Sequence, residues 1–260
     1  MTTHLRVNNL KITNDEFEKK MEKYNLKKID WIDGVYSTET EKMGSTFEYQ
    51  LGLFYIQSLS SMVPVYVLNP NENDIVLDLA AAPGSKTTQM AIQMNNQNII
   101  IANDISYNRM KSLTSHLDRL GIINVGITCF DGRRFPGYIK FSKILIDAPC
   151  SGMGSRKVCE AKSDNRIKSL SKLQKHLLLR AFDLLAPGGE LVYSTCTTTF
   201  EENEEVLENL FDKREDAEPV EFKLPFEIQE GFSSNEKVQK CCKRYELDES
   251  FFVSKIKKRD

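Results

Sequence analysis

Five short apolar runs alternate with helical patterns, and this alternation constrains the chain more than any other feature. DIVLDLA (74–80), NIIIAND (98–104), IINVGIT (122–128), KILIDAP (143–149) and ELVYSTC (190–196) each read as a buried strand. Between them lie segments with helical spacing. SKTTQMAIQM follows the first run, and residues 106–120 carry Met110, Leu113, Leu117 and Leu120 on one face. A longer helix with Ile167, Leu170, Leu173, Leu177 and Phe182 stops at LAPGG, and EENEEVLENLF forms another. Such alternation predicts an α/β doubly wound architecture, with a mostly parallel twisted sheet covered by helices on both faces. Two strand-like stretches near the carboxyl end remain ambiguous.

The first 70 residues differ. TNDEFEKKMEKYN suits a short amphipathic helix with Phe17, Met21 and Tyr24 on one side, and the segment from Trp31 to Ser37 a hairpin or loop. Residues 1–70 are expected to be a small amino-terminal extension packed on a core domain of residues 71–260. Hydrophobic residues make up 40% and charged residues 28% of the 260, an ordinary soluble composition. The amino end lacks a signal-peptide core, and LGLFYIQSLSSMVPVYVL is too interrupted to span a bilayer. A cytoplasmic location follows as an expectation, with the six cysteines reduced. No CxxC spacing points to a metal, and adjacent Cys241 and Cys242 read as structural or surface thiols.

Parallel strands present functional residues at their carboxyl ends, and here those ends carry chemistry. The turn Ala80, Ala81, Ala82, Pro83, Gly84, Ser85, Lys86 leaves the first strand and opens a helix, where small residues let a ligand approach the backbone. It matches neither a phosphate-binding Walker loop nor the three-glycine dinucleotide fingerprint. Asp104 ends the second strand, where an acid can accept ribose hydroxyls, and Asp131 in CFDGRR ends the third, within reach of an adenine amino group. Arg109, one helical turn past Asp104, would orient that carboxylate or touch the cofactor. These groups suggest an adenosine-containing cofactor and leave nicotinamide and S-adenosylmethionine both open. Cys150 in DAPCSGMG and Cys196 in STCTTT follow the next two strands, so two thiols can meet over a substrate. Cysteines are commonly buried structural residues, so the flanking motifs carry that argument.

The net charge of −2 announces no nucleic-acid binder, but its distribution is uneven. Basic residues cluster at Lys19–Lys28, from Arg156 through Lys175, and at Lys255–Arg259, while Glu201, Glu202, Glu204, Glu205 and Glu208 form an acidic run. A solvated face is the default reading of each cluster, although the run from Arg156 begins beside the cysteine edge, where phosphates would pass.

Taken together, AAAPGSKTT, FDGRR, DAPCSGMG and LAPGGELVYSTCTTTFEENEEV resemble the catalytic domain of RNA 5-methylcytosine methyltransferases of the NOL1/NOP2/Sun family. GLFYIQSLSS (52–61) resembles the segment before that family's first strand. The likeness covers about residues 45–255 and is looser at RYELDESFFVSK, where Ser250 stands in place of a glycine and a Pro-His pair is missing. The resemblance implies a class I Rossmann-like methyltransferase domain that uses S-adenosyl-L-methionine to methylate carbon 5 of cytosine in RNA. It implies Cys196 as the nucleophile on carbon 6, Cys150 in product release, and Asp147 on the ring nitrogen and exocyclic amine. Lys86 would support that pocket, its alternative being an exposed lysine at a helix start. The archaeal tRNA-modifying type is expected, with tRNA as substrate, rRNA as the alternative, and a monomer without metal or membrane partner. DNA cytosine methyltransferases place their nucleophile in a Pro-Cys motif, but their Glu-Asn-Val signature is absent. A non-catalytic RNA-binding scaffold would not need both cysteines, Asp147 and the cofactor turn.

Overall fold

The computed structural model describes residues 2–154 and 163–260. The amino-terminal part comprises β1 (Thr3–Val7), α1 (Asn14–Met21), β2 (Lys27–Lys28), β3 (Val35–Thr38), α2 (Phe47–Gln50) and β4 (Phe54–Ile56). Its strands form an antiparallel sheet in the order β2-β3-β1-β4 around Leu5, Phe17, Met21, Tyr36 and Phe54. Thr13 and Glu16 close a capping box at the start of α1, as a helix beginning inside a polar turn requires.

The larger part follows: α3 (Leu59–Leu68), β5 (Ile75–Asp78), α4 (Ser85–Gln93), β6 (Ile99–Asn103), α5 (Tyr107–Leu120), β7 (Val125–Thr128), β8 (Phe141–Asp147), α6 (Asp164–Leu184), β9 (Leu185–Thr195) and α7 (Glu204–Lys213). β10 (Ala217–Pro219), β11 (Gln229–Glu230), α8 (Glu236–Cys241), β12 (Cys242–Glu246) and β13 (Ser250–Lys258) complete it. The sheet runs β11-β12-β13-β9-β8-β5-β6-β7, with β10 beside β13. Strands β9, β8, β5, β6 and β7 are mutually parallel, and β10 to β13 add antiparallel pairings. The two ambiguous carboxyl-terminal stretches are therefore the β12–β13 hairpin.

The strand runs are almost wholly apolar because both faces are covered. Alternate residues enter two different cores. Leu77, Ile144, Ile146, Leu191 and Tyr193 pack with Leu178, Phe182, Leu207 and Leu210 on one side. Val76, Leu145 and Val192 pack with Val63, Met90, Leu113 and Leu117 on the other. Helix α6 ends at Leu184 and β9 begins at the next residue, so LAPGG belongs to the strand rather than to a turn. Gly188 there has φ +70°, and the β8–β9 register shifts between Phe141 and Lys143. Helix α3 spans 59–68 yet packs on α4, β8, β9 and β13. Among the described residues, no helix is long and apolar enough to cross a membrane.

The acidic run departs most from the sequence expectation: Glu202 and Glu204 are fully buried rather than solvated. Arg244 of β12 donates to both Glu204 oxygens at 2.8 and 2.5 Å, and to the Thr198 carbonyl at 2.8 Å. This pair bolts the terminal hairpin onto the loop after β9. Replacing Arg244 by Ala leaves Glu204 buried without its cation, which should cost about 3–5 kcal/mol. Urea unfolding followed by circular dichroism measures it; a loss under about 1 kcal/mol would show that the pair does not hold the hairpin.

Candidate active site

Chain order reverses between β5 and β8: after β5 the sheet grows through β6 and β7, then returns to β8 on the other side of β5. Ligands in open α/β sheets bind at such a switch point, beyond the carboxyl ends of the strands. A cavity of about 710 Å³ opens there, lined by Ala80, Ala82, Asp104, Asp131, Asp147, Cys150 and Cys196 among others. Its size suits a drug-sized ligand.

The turn after β5 is held tightly. Gly84 has φ +105°, and a Cβ there would lie 2.6 Å from Leu113 Cδ1, so glycine is required. Asp104 Oδ2 accepts the Ala82 amide at 3.2 Å, and Oδ1 accepts the Ser106 amide at 2.8 Å. Arg109 lies 3.4 Å from Asp104 and also donates to the Ala82 carbonyl. Asp131 caps a short helical turn through the Arg133 amide and grips the Arg133 guanidinium at 2.5–3.1 Å, which holds its carboxyl below the usual range. Asn103, which the sequence reading passed over, joins three strand ends. Its amide nitrogen donates to the Leu79 and Phe130 carbonyls, and its oxygen accepts from Phe130 N and Thr128 Oγ1. Its only sequence signal is its place beside Asp104. Burial, opposed by a 2.6 Å bond from Thr87, raises the Asp78 carboxyl to about 7.

Lys86 is 5% exposed, so the exposed helix-start reading does not hold. Its Nζ donates to Asp147 Oδ2 at 2.7 Å and to Ser61 Oγ at 2.8 Å. Ser194, the register partner of Asp147 on β9, donates to Asp147 Oδ1 at 2.9 Å. Ser61 reaches Lys86 because the β12–β13 turn clasps the start of α3. The Asp248 carboxylate accepts the Leu59 and Ser60 amides at 2.8 and 2.9 Å, and Tyr245 donates to the Ser60 carbonyl.

Cys150 Sγ and Cys196 Sγ stand 3.2 Å apart as free thiols. The hydrogen bond between them and then burial push the Cys150 thiol well above the ordinary cysteine value. The same hydrogen bond holds Cys196 below it; Lys86 acts in the same direction, while burial and Asp147 oppose. Of the two, Cys196, with Lys86 on its side, is therefore the readier thiolate. Gly154 permits this approach, because a Cβ there would lie 2.2 Å from the Ser250 carbonyl oxygen and 3.0 Å from that of Cys196. Cys241 and Cys242 are buried away from this cavity lining. Of the basic run, Arg156, Lys157 and Lys162 lie outside the described residues, Lys172 lines the cavity, and Lys175 pairs with Glu205 at 2.9 Å.

A family model described as 16S rRNA methyltransferase RsmB/F matches residues 65–257. The chain belongs to the RsmB/F methyltransferase family. Residues 1–59 match a second model, the N-terminal domain of 16S rRNA methyltransferase RsmF. Ribosomal RNA small subunit methyltransferase F of Aliivibrio fischeri (strain MJ11) is 42% identical over 98% of this chain and 57% of its own length. The chain thus spans little more than half of such curated relatives. The tRNA (cytosine(49)-C(5))-methyltransferase of Pyrococcus abyssi is 39% identical over 98% of the chain and 87% of its own length. The crystal structure of NSun6 from Pyrococcus horikoshii with SFG has a TM-score of 0.89 at 25% identity, covering all of this chain and 91% of that one. The fold is accordingly that of the class I, Rossmann-like methyltransferases.

Iodoacetamide alkylation of Cys196 against pH, followed by peptide mass spectrometry, reads the thiol pair without any ligand. Thiolate, and so alkylation, increases with pH through the Cys196 pKa. Cys150→Ala removes the hydrogen-bonding partner and should move the curve to higher pH. An unmoved curve would show that Cys150 does not lower Cys196.

Proposed function

We propose that this chain transfers a methyl group from S-adenosyl-L-methionine to carbon 5 of cytosine in RNA through a covalent bond from Cys196. The observation that carries this reading is the pair of thiols 3.2 Å apart on the wall of one cavity, which Asp147, held by the buried Lys86, also lines.

The cavity and its donor set fit the cofactor. The Ala80 to Lys86 turn would enclose the methionine end, Asp131 would meet the adenine, and Asp104 the ribose. Two backbone amides use only part of the Asp104 acceptor capacity, leaving lone pairs for ribose hydroxyls. The bound cofactor supplies a methyl group on a positively charged sulfur. Relatives support the choice, since the NSun6 structure carries SFG, an S-adenosylmethionine analogue.

Carbon 5 of cytosine is a poor nucleophile, so a thiol must activate the ring. Cys196 as thiolate adds to carbon 6, forming the S–C6 bond and moving the ring π electrons toward carbon 5. Asp147, steadied by Lys86 and Ser194, bonds the ring nitrogen and exocyclic amine. Once carbon 5 is methylated it must give its proton to a base, for which a water molecule suffices; the electrons of that C–H bond restore the double bond, and the S–C6 pair returns to Cys196. Cys150 promotes this release. A Pro-Cys nucleophile would instead be Cys150, but that thiol is pushed upward while Cys196, beside Lys86, is held lower, which favours Cys196. The target base must leave any stack at a cost of a few kcal/mol, with Arg166, Lys168 and Lys172 available to flanking phosphates.

For the substrate we favour tRNA, supported by 39% identity along 87% of a tRNA cytosine methyltransferase. An rRNA substrate is the second reading, supported by the matching family models and by 42% identity to a ribosomal RNA enzyme. Bisulfite sequencing of RNA from cells with and without the gene distinguishes them: a lost tRNA site supports the first reading, a lost 16S site the second.

On a denaturing gel with labelled RNA and S-adenosylmethionine, Cys150→Ala should accumulate a covalent protein–RNA adduct. Cys196→Ala and the double variant should form none and transfer no methyl group. An adduct in Cys196→Ala alone would invert the assignment. Asp104→Ala should weaken S-adenosylmethionine binding about tenfold or more by calorimetry, and unchanged affinity would remove Asp104 from the site.

A further inference from the structure

We propose that Glu202 is a positioning residue whose buried carboxylate clasps the Cys150 loop to the Cys196 loop, keeping the second thiol within reach of the nucleophile. The function assigned to this clasp rests on the reading above; its geometry does not.

Glu202 lies six residues after Cys196 and is fully buried. Its Oε1 accepts the backbone amide of Ser151, the residue after Cys150, at 2.9 Å. The same oxygen accepts Gln174 Nε2 of α6 at 3.0 Å, and that nitrogen also donates to the carbonyl of Pro149, the residue before Cys150, at 2.9 Å. Oε2 accepts Thr199 Oγ1 at 2.9 Å, and the Glu202 carbonyl accepts Tyr193 OH of β9 at 2.6 Å. One side chain therefore bonds directly or through Gln174 to the residues on both sides of Cys150, while its own backbone belongs to the Cys196 loop.

Two further contacts join the same loops: Ser151 Oγ to Thr197 Oγ1 at 2.8 Å, and the Gly154 amide to the Cys196 carbonyl at 2.9 Å. Among these, Glu202 alone fixes the backbone immediately around Cys150. A buried carboxylate satisfied only by neutral donors is costly to desolvate, and a merely structural position would be served as well by an apolar side chain. At this position its acceptors meet the free amide that the Cys150 turn exposes.

The test compares Glu202→Ala and Glu202→Gln with the wild-type chain. Iodoacetamide alkylation of Cys196 against pH needs neither RNA nor cofactor. In Glu202→Ala the curve should move upward toward that of Cys150→Ala, because the Cys150 thiol drifts away; in Glu202→Gln, whose amide oxygen can still accept Ser151 N, it should stay near wild type. With RNA and S-adenosylmethionine at a pH above both alkylation curves, single-turnover methyl transfer by Glu202→Ala should stay within about threefold, while adduct release slows about tenfold. General damage would slow both together and leave no adduct. If Glu202→Ala does not fold, Gln174→Ala supplies the same readouts with the clasp half removed. An unmoved alkylation curve in a folded Glu202→Ala or Gln174→Ala protein overturns the proposal. Absence of methyl transfer by the wild-type chain would instead defeat the functional reading, with the alkylation arm still deciding the clasp.

Discussion

The site depends on the parallel pairing of β8 with β9, which sets Asp147 opposite Ser194. Each strand then leaves the sheet at the same edge, and each delivers a cysteine within three residues of that pair. Neighbouring strands lie about 4.8 Å apart, so two thiols released in register fall within contact distance only if both loops are restrained. The Gly154–Ser250 approach, the Ser151–Thr197 bond and the buried Glu202 impose that restraint. A slip of one residue in this register would send Asp147 and Ser194 to opposite faces and dissolve the arrangement.

Contact makes the two thiols unequal. Two like groups at 3.2 Å cannot both be charged, and the environment pushes Cys150 up while it holds Cys196 lower. Lys86 adds a positive charge on the side of Cys196, and the carboxylate of Asp147 holds that lysine in place. Strand register thus decides proximity, and burial with local charge decides which sulfur the proposed chemistry would use. The amino-terminal part contributes as well: Arg6 of β1 donates to Thr88 of α4 at 2.9 Å and approaches the Ser85 carbonyl, bracing the helix that carries Lys86.

The parallel strands were legible in the sequence because each is buried on both faces and so reads as an unbroken apolar run. The positions of Cys150, Cys196, Asp147 and the turn from Ala80 to Lys86 followed from their places at strand ends. Glu202 and Glu204 were not legible, since a run of glutamates ordinarily marks a solvated face; their partners, Ser151 and Arg244, lie 51 and 40 residues away. The terminal hairpin was obscured for a similar reason. RYELDESFF mixes charged residues into strands because Asp248 turns back to cap α3 and Arg244 turns inward to Glu204. Long-range polar pairs leave no periodic trace in a sequence, whereas apolar faces do.

RNA carrying 5-fluorocytosine tests the division of labour most directly. Fluorine cannot leave carbon 5 as a proton does, so the wild-type chain should stop after methyl transfer with the base still attached to the nucleophile. Proteolysis and mass spectrometry of that complex should find the nucleotide on Cys196. A nucleotide on Cys150, or catalysis without any attachment, would contradict the account.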